Sequence, residues 1–504
     1  MSVAEPAAMF MSSDIRPAAA SAPSLLARSD LAIVLALALF TFVVRGAWIG
    51  DPNADVDEQL YSLIGNQMLH GAVPFVDLWD RKPWGLFALF AAFHAVGGPS
   101  SAAYQVAGAL FTLGGAVIVF HLARAQTDRM TAAAGGALYV VLCAINDAHS
   151  GNSEVFFIPM LVAMAVLVRD TEHPRAVAYA LLAMLIGGVS LQIKYTAIPQ
   201  CLFFGLWALW GQWRRGMPLW QLTGLAAGFG VMGLLPTVLV SAGYAAAGHW
   251  DEYVFANFIS FFDRLPSATG RVHPLMLAYL GVQLSLSWLG IRAAQRVWPE
   301  GLPRHYVFAI LWLVSAVATA YLPATVYRHY LAALIPATAL LVLPLFHREA
   351  SAKMNWPALI PAAVYLLIVP YQYWVSHENR AATFRLAETI TPHLDARAGK
   401  CLLIFDGPTS LYGLTDSCLP TKLIYPDHLN NALEMDALGM RQEDEVGRIL
   451  ATRPPVIVTT EKPLTPQNFA AKDQVDAAIK RDYRLLAKEE LHHRYIYAWI
   501  RRER

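Results

Sequence analysis

Acidic and basic side chains are concentrated in one stretch that directly follows the first apolar segment. Asp55, Asp57 and Glu58 come first, and Arg81 and Lys82 follow further along the same loop. A carboxylate can act as a general base, and a fixed cation can stabilise the developing charge of a leaving phosphate. The same spacing also fits a solvated acidic turn that caps a helix, with interfacial cations that bind lipid headgroups. Spacing alone leaves both interpretations open.

Most of the chain is too apolar for an ordinary soluble protein. Hydrophobic residues make up 56% of the 504 positions, and 36 of the 75 charged residues lie within 375–504, which leaves 39 for the first 374. That density is far below the roughly 25% that is typical of soluble domains. The composition excludes a disordered chain, a coiled coil and a disulfide scaffold. The net charge of +1 does not indicate nucleic-acid binding. A polytopic membrane protein with a water-soluble tail remains.

Eleven apolar segments are candidates for membrane-spanning helices. They are 31–50, 104–123, 131–147, 154–168, 177–191, 196–213, 221–243, 275–293, 305–322, 330–346 and 356–374. If the N-terminus is inside, the arginine-rich loops all face the cytoplasm and the acidic loops face outward, as the positive-inside rule requires. The short apolar segment 83–97 would reverse this pattern if it crossed, so we expect it to lie in the outer interface.

These segments divide the chain into three predicted regions. Residues 1–30 form a flexible cytoplasmic leader, and residues 31–374 form the transmembrane domain, whose first external loop is 51–103. Residues 375–504 form an external domain, where strand-like and helix-like segments alternate in a pattern typical of a small α/β fold. The predicted location is therefore the inner (plasma) membrane, with a cytoplasmic N-terminus and a periplasmic or extracellular C-terminal domain.

Two cysteines fall in this external tail. Cys401 and Cys418 could form a disulfide if the tail lies outside the cytoplasm. Cys143 and Cys201 sit in apolar runs and are expected to be small core residues. No pair of cysteines has the spacing of metal ligands.

A resemblance to a known family appears in the first loop. The run Asp57-Glu58 … Tyr61 … Met68-Leu69 … Gly71 … Pro74 … Asp77 … Lys82-Pro83 resembles the first-loop signature of the GT-C superfamily of membrane glycosyltransferases. The similarity is to the branch that contains protein O-mannosyltransferases and lipid A aminoarabinose transferases. Three later stretches agree in order, namely 152–154, 192–196 and 327–330. Two positions depart from the pattern, because Glu154 stands where the family often has Asp and Lys82-Pro83-Trp84 replaces Lys-Pro-Pro.

The resemblance implies a mainly α, GT-C-like helix bundle of about eleven spans with a small external α/β domain. It also implies inverting transfer of a sugar from a polyprenyl-phosphate-linked donor to an acceptor on the external face. Asp57 matches the family's first-loop acid and is the candidate base, with Glu58 and Glu154 as further acids of the reacting centre. The candidate donor-phosphate ligands are Lys82, Arg81, Lys194, Arg328 and His329. The candidate acceptor or sugar contacts are Asp55, Tyr61 and Tyr327.

No tightly bound cofactor is expected, because the polyprenyl-phosphate sugar is a substrate. A divalent metal could bind the carboxylates, or Lys and Arg could take its place. Membrane lipid is an expected partner. The sequence defines neither the sugar nor whether the acceptor is a lipid, a protein or a glycan. Two alternatives remain: a non-enzymatic transporter or flippase of a lipid-linked sugar, and a ligase or polymerase of lipid-linked glycans. Transporters usually place ionisable groups at mid-membrane, whereas Asp57, Glu58 and Glu154 lie at the outer ends of predicted spans.

Overall fold

The computed structural model describes residues 30–346 and 359–503. Residues 1–29 of the predicted leader lie outside these ranges, as does the start of the last predicted span. The described membrane region is helical. Its helices are α1 (Leu31–Arg45), α2 (Val56–Met68), α3 (Trp84–Gly97), α4 (Ser101–Ala123), α5 (Arg129–Ile145), α6 (Ser153–Arg169), α7 (Ala176–Leu191), α8 (Ile198–Arg214), α9 (Leu219–Ala246), α10 (Trp250–Val254), α11 (Ser260–Asp263), α12 (Pro274–Val297), α13 (Arg304–Tyr321), α14 (Ile335–Leu341), α15 (Ile360–Leu366) and α16 (Val369–Ile390).

Six of the described helical segments are long and apolar enough to cross a membrane, so the chain is a multi-pass membrane protein. They are Leu31–Trp48, Ser101–Ala123, Leu219–Ala246, Pro274–Val297, Arg304–Tyr321 and Arg328–Phe346. Three shorter apolar helices are α3, α5 and α7. Each predicted span within the described ranges is helical over most of its length, and the count of eleven crossings stays a prediction.

The bundle has an inner and an outer set of helices. Of the 18 most apolar consecutive residues in Leu219–Ala246, only 6% are buried inside the protein. The corresponding share for Arg328–Phe346 is 78%. The first segment therefore presents its apolar side chains to lipid, and the second lies in the core. Glycine permits close packing between two of these helices, because a Cβ on Gly188 of α7 would lie 2.4 Å from the carbonyl oxygen of Gly233 in α9.

The tail is a small α/β domain, as predicted. Its strands are β1 (Leu403–Ile404), β2 (Val456–Thr460), β3 (Tyr483–Leu491) and β4 (Arg494–Arg501), and its helices are α17 (Leu411–Leu414), α18 (Pro426–Asn430), α19 (Gln442–Ala451) and α20 (Phe469–Asp482). The sheet order is β1-β2-β4-β3, with β1 parallel to β2 and the other pairs antiparallel. The core between sheet and helices is apolar and includes Phe405, Val446 and Val475. Cys401 and Cys418 form a disulfide.

A continuous helix joins the membrane region to the tail. α16 runs through residue 374, where the sequence places the domain boundary, and ends at Ile390. Within this helix Ser376 donates a hydrogen bond to the Asp51 carboxylate at 2.8 Å, and Leu386 and Ile390 are buried. Because a helix is stiffer than an irregular linker, α16 helps to fix the tail above the first external loop.

Candidate active site

The start of α2 determines where Asp57 points. The carboxylate of Asp55 caps this helix by accepting hydrogen bonds from the backbone N–H groups of Asp57 (2.9 Å) and Glu58 (3.3 Å). Leu60 and Ile64, further along the helix, are buried in the main hydrophobic core. Capping at one end and burial of one face hold the helix in place. The structure therefore gives Asp55, a candidate sugar contact, a positioning role for Asp57.

Both carboxylate oxygens of Asp57 have partners. Oδ2 accepts a hydrogen bond from the Tyr61 hydroxyl at 3.1 Å and lies 3.9 Å from Nζ of Lys82. Oδ1 accepts a hydrogen bond from the hydroxyl of Tyr425, at 3.2 Å. The side chains of Asp57 and Lys82 are 32% and 24% exposed, so a substrate can reach both. The ammonium of Lys82 also lies 5.4 Å from the centre of the Tyr61 ring, which is an attractive cation–π geometry.

Cations around Asp57 keep it ionised. Burial favours the neutral acid, but the nearby Lys82, His329 and Lys194 outweigh burial and lower the pKa of Asp57 to about 2. The same pairing raises the pKa of Lys82 above its ordinary value, against the effect of burial. Three candidate phosphate ligands from different parts of the sequence thus act on one carboxylate.

Glu58 points away from this site. Its side chain is fully buried, and it accepts hydrogen bonds from the Gln105 amide (2.9 Å), the Tyr104 hydroxyl (3.4 Å) and the backbone N–H of Gly151. Burial raises the pKa of Glu58 to about 7, in spite of these donors. The residue therefore ties α2 to α4 and to the loop before α6. This placement favours a structural role over contact with an acceptor.

Glu154 and Lys194 form a buried ion pair. Glu154 lies at the start of α6, and Lys194 follows α7. Glu154 is 1% exposed and Lys194 is 5% exposed. The ammonium of Lys194 also lies 4.0 Å from the centre of the Tyr330 ring. The sequence did not single out Tyr330 as a site residue, although it lies in the 327–330 stretch. The pair lies close enough to the first loop for Lys194 to stabilise ionised Asp57.

The 3₁₀ helix Arg328–Leu334 carries the other predicted cations. His329 packs against two aromatic rings, with centroids 5.8 Å from Tyr327 and 4.7 Å from Tyr330. Arg328 forms a two-point ion pair with Asp147 and donates to the Tyr279 hydroxyl at 3.0 Å. Of the two, His329 has the clearer electrostatic link to Asp57.

Arg81 and Tyr327 belong to a neighbouring cluster around Glu434 of the tail. Arg81 pairs with Glu434, as does Arg264 at 2.5 Å. Arg264 also donates to the Tyr327 hydroxyl at 3.4 Å. These contacts join the first loop, two later loops and the tail. Arg81 therefore pairs with a carboxylate of the tail, whereas its neighbour Lys82 pairs with the candidate base Asp57.

Sequence reasoning missed Tyr425. It lies just before α18 in the tail. The sequence around it contains no motif that distinguishes it from a tyrosine that packs in the domain. Other tail contacts hold the same interface, because the backbone N–H of Ser410 donates to Gln59 at 3.0 Å and that of Trp79 donates to the Lys422 carbonyl at 3.0 Å. Only the docking of the tail brings Tyr425 to Asp57.

A cavity of about 420 Å³ lies between the first loop and the tail, and its lining includes Tyr425 but not Asp57. Its polar lining includes Asp55, Asp147, Arg328, Tyr425, Asp427 and Arg494. Burial and the charge of Glu434 raise the pKa of Asp427 to about 6, and burial raises that of Asp406, a further lining residue, to about 7. Tyr425 thus contacts both Asp57 and a polar cavity. Within the described ranges, no group of three or more His, Cys, Asp or Glu side chains is arranged to hold a metal ion.

The fold is that of the GT-C membrane glycosyltransferases. Residues 81–241 match the family model described as dolichyl-phosphate-mannose-protein mannosyltransferase, and this segment contains Lys82, Glu154 and Lys194. The match covers less than half of the chain. Together with the fold, it confirms the resemblance to the GT-C superfamily that the first loop suggested.

The chain also has the fold of particular solved membrane proteins. It is similar to ArnT from Cupriavidus metallidurans, solved in the apo state and bound to undecaprenyl phosphate, with a TM-score of 0.63 and 15% identity over 94% of this chain and 98% of that one. It is also similar to the Archaeoglobus fulgidus oligosaccharyltransferase in its apo form, with a TM-score of 0.50 and 10% identity over 85% and 69% of the two chains. No curated protein sequence matches. At these identities the likeness establishes the fold.

Proposed function

We propose that the protein is an inverting membrane glycosyltransferase that moves a sugar from a polyprenyl-phosphate donor to an acceptor hydroxyl on the external face. The observation that carries this proposal is the pairing of Asp57, ionised and accessible, with Lys82 at 3.9 Å. A base and a phosphate-binding cation side by side are what such a transfer requires.

In the proposed reaction the acceptor oxygen attacks the anomeric carbon of the donor sugar. The bond between that carbon and the phosphate oxygen breaks, and its electron pair stays on the polyprenyl phosphate. The acceptor proton passes to the Asp57 carboxylate, so atoms and charge balance. Lys82, with Lys194 and His329, stabilises the negative charge that develops on the leaving phosphate. Attack opposite the leaving group inverts the configuration at the anomeric carbon.

Donor binding itself would prepare Asp57 for this role. A base with a pKa near 2 has little affinity for a proton. The donor phosphate brings negative charge to the same cations, so they stabilise ionised Asp57 less and its pKa rises. The carboxylate would then become a better base only when the donor is bound.

We assign the two substrates to different sides of Asp57. The lipid chain of the donor enters between spans from the bilayer, and its phosphate meets Lys82. The acceptor approaches from the external, periplasmic side through the 420 Å³ cavity. Tyr425 lines this cavity and also donates a hydrogen bond to Asp57. The disulfide Cys401–Cys418 supports this orientation, because disulfides persist in oxidising compartments.

The test is mass spectrometry of envelope glycolipids, glycans and glycoproteins from cells with and without the gene. The deleted strain is complemented with the wild type, with Asp57→Asn or with the neighbouring control Glu58→Gln. We expect one species to lose a single sugar and to recover it with the wild type and Glu58→Gln, but not with Asp57→Asn. Full recovery with Asp57→Asn would indicate a carrier rather than a transferase.

A further inference from the structure

A second cavity lies at the opposite end of the bundle from the candidate active site. α6 begins beside Glu154 and α8 begins after Lys194, whereas the cavity lies where these helices end. The 17 residues of α8 correspond to a length of about 25 Å at 1.5 Å per residue. The cavity is about 380 Å³ in volume. It is therefore separate from the site around Asp57.

Arginines dominate this cavity, which we call the arginine pocket. It is lined by Thr171, Glu172, Trp210, Gly211, Arg214, Arg215 and Arg304. Three guanidinium groups face one carboxylate, so the pocket carries excess positive charge. Two tryptophan rings lie near Arg304, whose guanidinium carbon is 4.8 Å from the Trp210 ring centre and 5.6 Å from that of Trp207.

The arginines retain hydrogen-bonding capacity. Nη1 of Arg304 donates to Glu172 at 2.9 Å and Nη2 donates to Thr171, but its buried Nε has no partner among the described residues. The Glu172 side chain is 78% exposed, so an anion from solvent or membrane can compete with it. Arg215 donates to the Thr171 carbonyl at 3.2 Å, and the side chain of Arg214 has no hydrogen bond or ion pair in the described ranges.

We propose that the arginine pocket binds the phosphate of an anionic phospholipid headgroup. The planar donors of arginine match phosphate oxygens in two-point hydrogen bonds. The pocket also opens at the start of α13, where Pro303 provides no side-chain cap, so the positive end of the helix dipole faces an anion in the pocket. Trp210, at 39% exposure, lies where tryptophan commonly meets the membrane–water interface. Arginines at the end of α8 would also stabilise its dipole without a ligand, but that role explains neither the cavity nor the unpaired Nε of Arg304 on α13.

The experiment uses the full-length protein in detergent and native mass spectrometry. The probes are phosphatidylglycerol, phosphatidylcholine and inorganic phosphate, with the double variant Arg214→Gln/Arg215→Gln as the test. Arg296→Gln is the matched control, because this exposed arginine ends α12 outside the pocket. We expect phosphatidylglycerol to bind more tightly than phosphatidylcholine, and affinity to fall about fivefold for each arginine removed. The control should bind like the wild type.

Several outcomes would overturn this assignment. Equal retention of the two lipids would show that the headgroup charge is not recognised. An equal effect of the double variant and of Arg296→Gln would show general surface attraction. Binding of inorganic phosphate without retention of phosphatidylglycerol would assign the pocket to free phosphate. Unchanged thermal unfolding of the double variant ensures that lost binding does not reflect lost structure.

Discussion

The hydroxyl of Tyr425 donates a hydrogen bond to Oδ1 of Asp57 at 3.2 Å, although 368 positions separate the two residues in the chain. Asp57 lies in the first turn of α2 in the membrane domain, and Tyr425 belongs to the α/β tail. The second oxygen of Asp57 faces Tyr61 and Lys82. The environment of the candidate base is therefore complete only when the tail is docked on the first loop.

Tyr425→Phe tests the importance of that contact. The bond also fixes the orientation of the Asp57 carboxylate, and loss of a hydrogen bond to a charged group costs about 1.5–3 kcal/mol. We therefore expect kcat to fall by about 10- to 100-fold with a smaller change in KM, because misplacement of the base outweighs its higher basicity. Because the lost bond stabilises the charged form, the pKa of Asp57 should rise, and the acid limb of the pH–rate profile should move to higher pH.

The control is Tyr497→Phe, which removes a surface hydrogen bond to Glu461 elsewhere in the tail. It should leave both kcat and the pH profile unchanged. If Tyr425→Phe behaves like this control, the contact with Asp57 has no part in turnover.

Lys82→Gln removes the cation nearest to Asp57. We expect kcat/KM for the donor to fall by about 100-fold, because a fixed charge at the leaving phosphate is lost. Lys82→Arg keeps the charge and should retain more of the activity, though its planar group does not reproduce the ammonium position. Steady-state kinetics with a polyprenyl-phosphate sugar measure both variants. Unchanged donor kinetics in Lys82→Gln would remove Lys82 from the site.

Glu434→Gln tests the cluster that holds the tail against the loops. Burial favours neutral Glu434, but Arg81 and Arg264 outweigh it and lower its pKa to about 2. A carboxylate with a depressed pKa stabilises the folded state above its unfolded pKa, and that stability is lost as pH falls from about 4.5 towards 2. We expect the variant to be less stable by about 3 kcal/mol at neutral pH. The difference from the wild type should shrink in this acidic range.

Thermal unfolding at several pH values measures this effect. Exposed Glu490 provides the control, since Glu490→Gln should change the unfolding temperature little at any pH. A destabilisation of Glu434→Gln that is equally large at pH 7 and near pH 3 would contradict the assigned role of its charge.

The disulfide Cys401–Cys418 should stabilise the tail. It closes a loop with a sequence separation of 17, and a loop of this size contributes about 3 kcal/mol. This loop includes Ser410, which contacts Gln59 of α2. Cys401→Ser/Cys418→Ser should therefore lower both the unfolding temperature and turnover. Thiol labelling without reductant after denaturation should detect Cys143 and Cys201 alone, and labelling of all four would show that the disulfide does not form.

The sequence predicted the fold class, and it brought forward several residues that the structure places near one another. The first-loop pattern predicts Asp57 and Lys82 as site residues, and the family resemblance adds Glu154 and Lys194, which form an ion pair in the structure. The sequence alone does not show that the side chains of Asp57 and Glu58 face different surroundings. Adjacent residues on a helix point about 100° apart, so one faces the accessible site and the other faces α4, and only the packing of α2 decides which.

Tertiary contacts account for what the sequence missed. β3 contains Leu485, Leu486 and Ala487 with Lys and Glu, all residues common in helices, and it becomes a strand by pairing with β4. The sequence predicts that Arg328 and Arg81 bind phosphate together with Lys82, because all three are cations of the predicted external loops. Their carboxylate partners, Asp147 and Glu434, lie far away in sequence. Tyr425 reaches Asp57 for the same reason, through docking of the tail.

The most direct test of the central claim is a single-turnover transfer assay with a synthetic polyprenyl-phosphate sugar and the acceptor identified from envelope glycans. Asp57→Asn should bind the donor but transfer the sugar about 100- to 10,000-fold more slowly, as expected for loss of a general base. Glu58→Gln should remain within about tenfold of the wild type, since Glu58 lies outside the accessible site. The wild-type product should have inverted anomeric configuration by NMR. Transfer by Asp57→Asn at the wild-type rate, or a product with retained configuration, would contradict the assignment of Asp57 as the base of an inverting transferase.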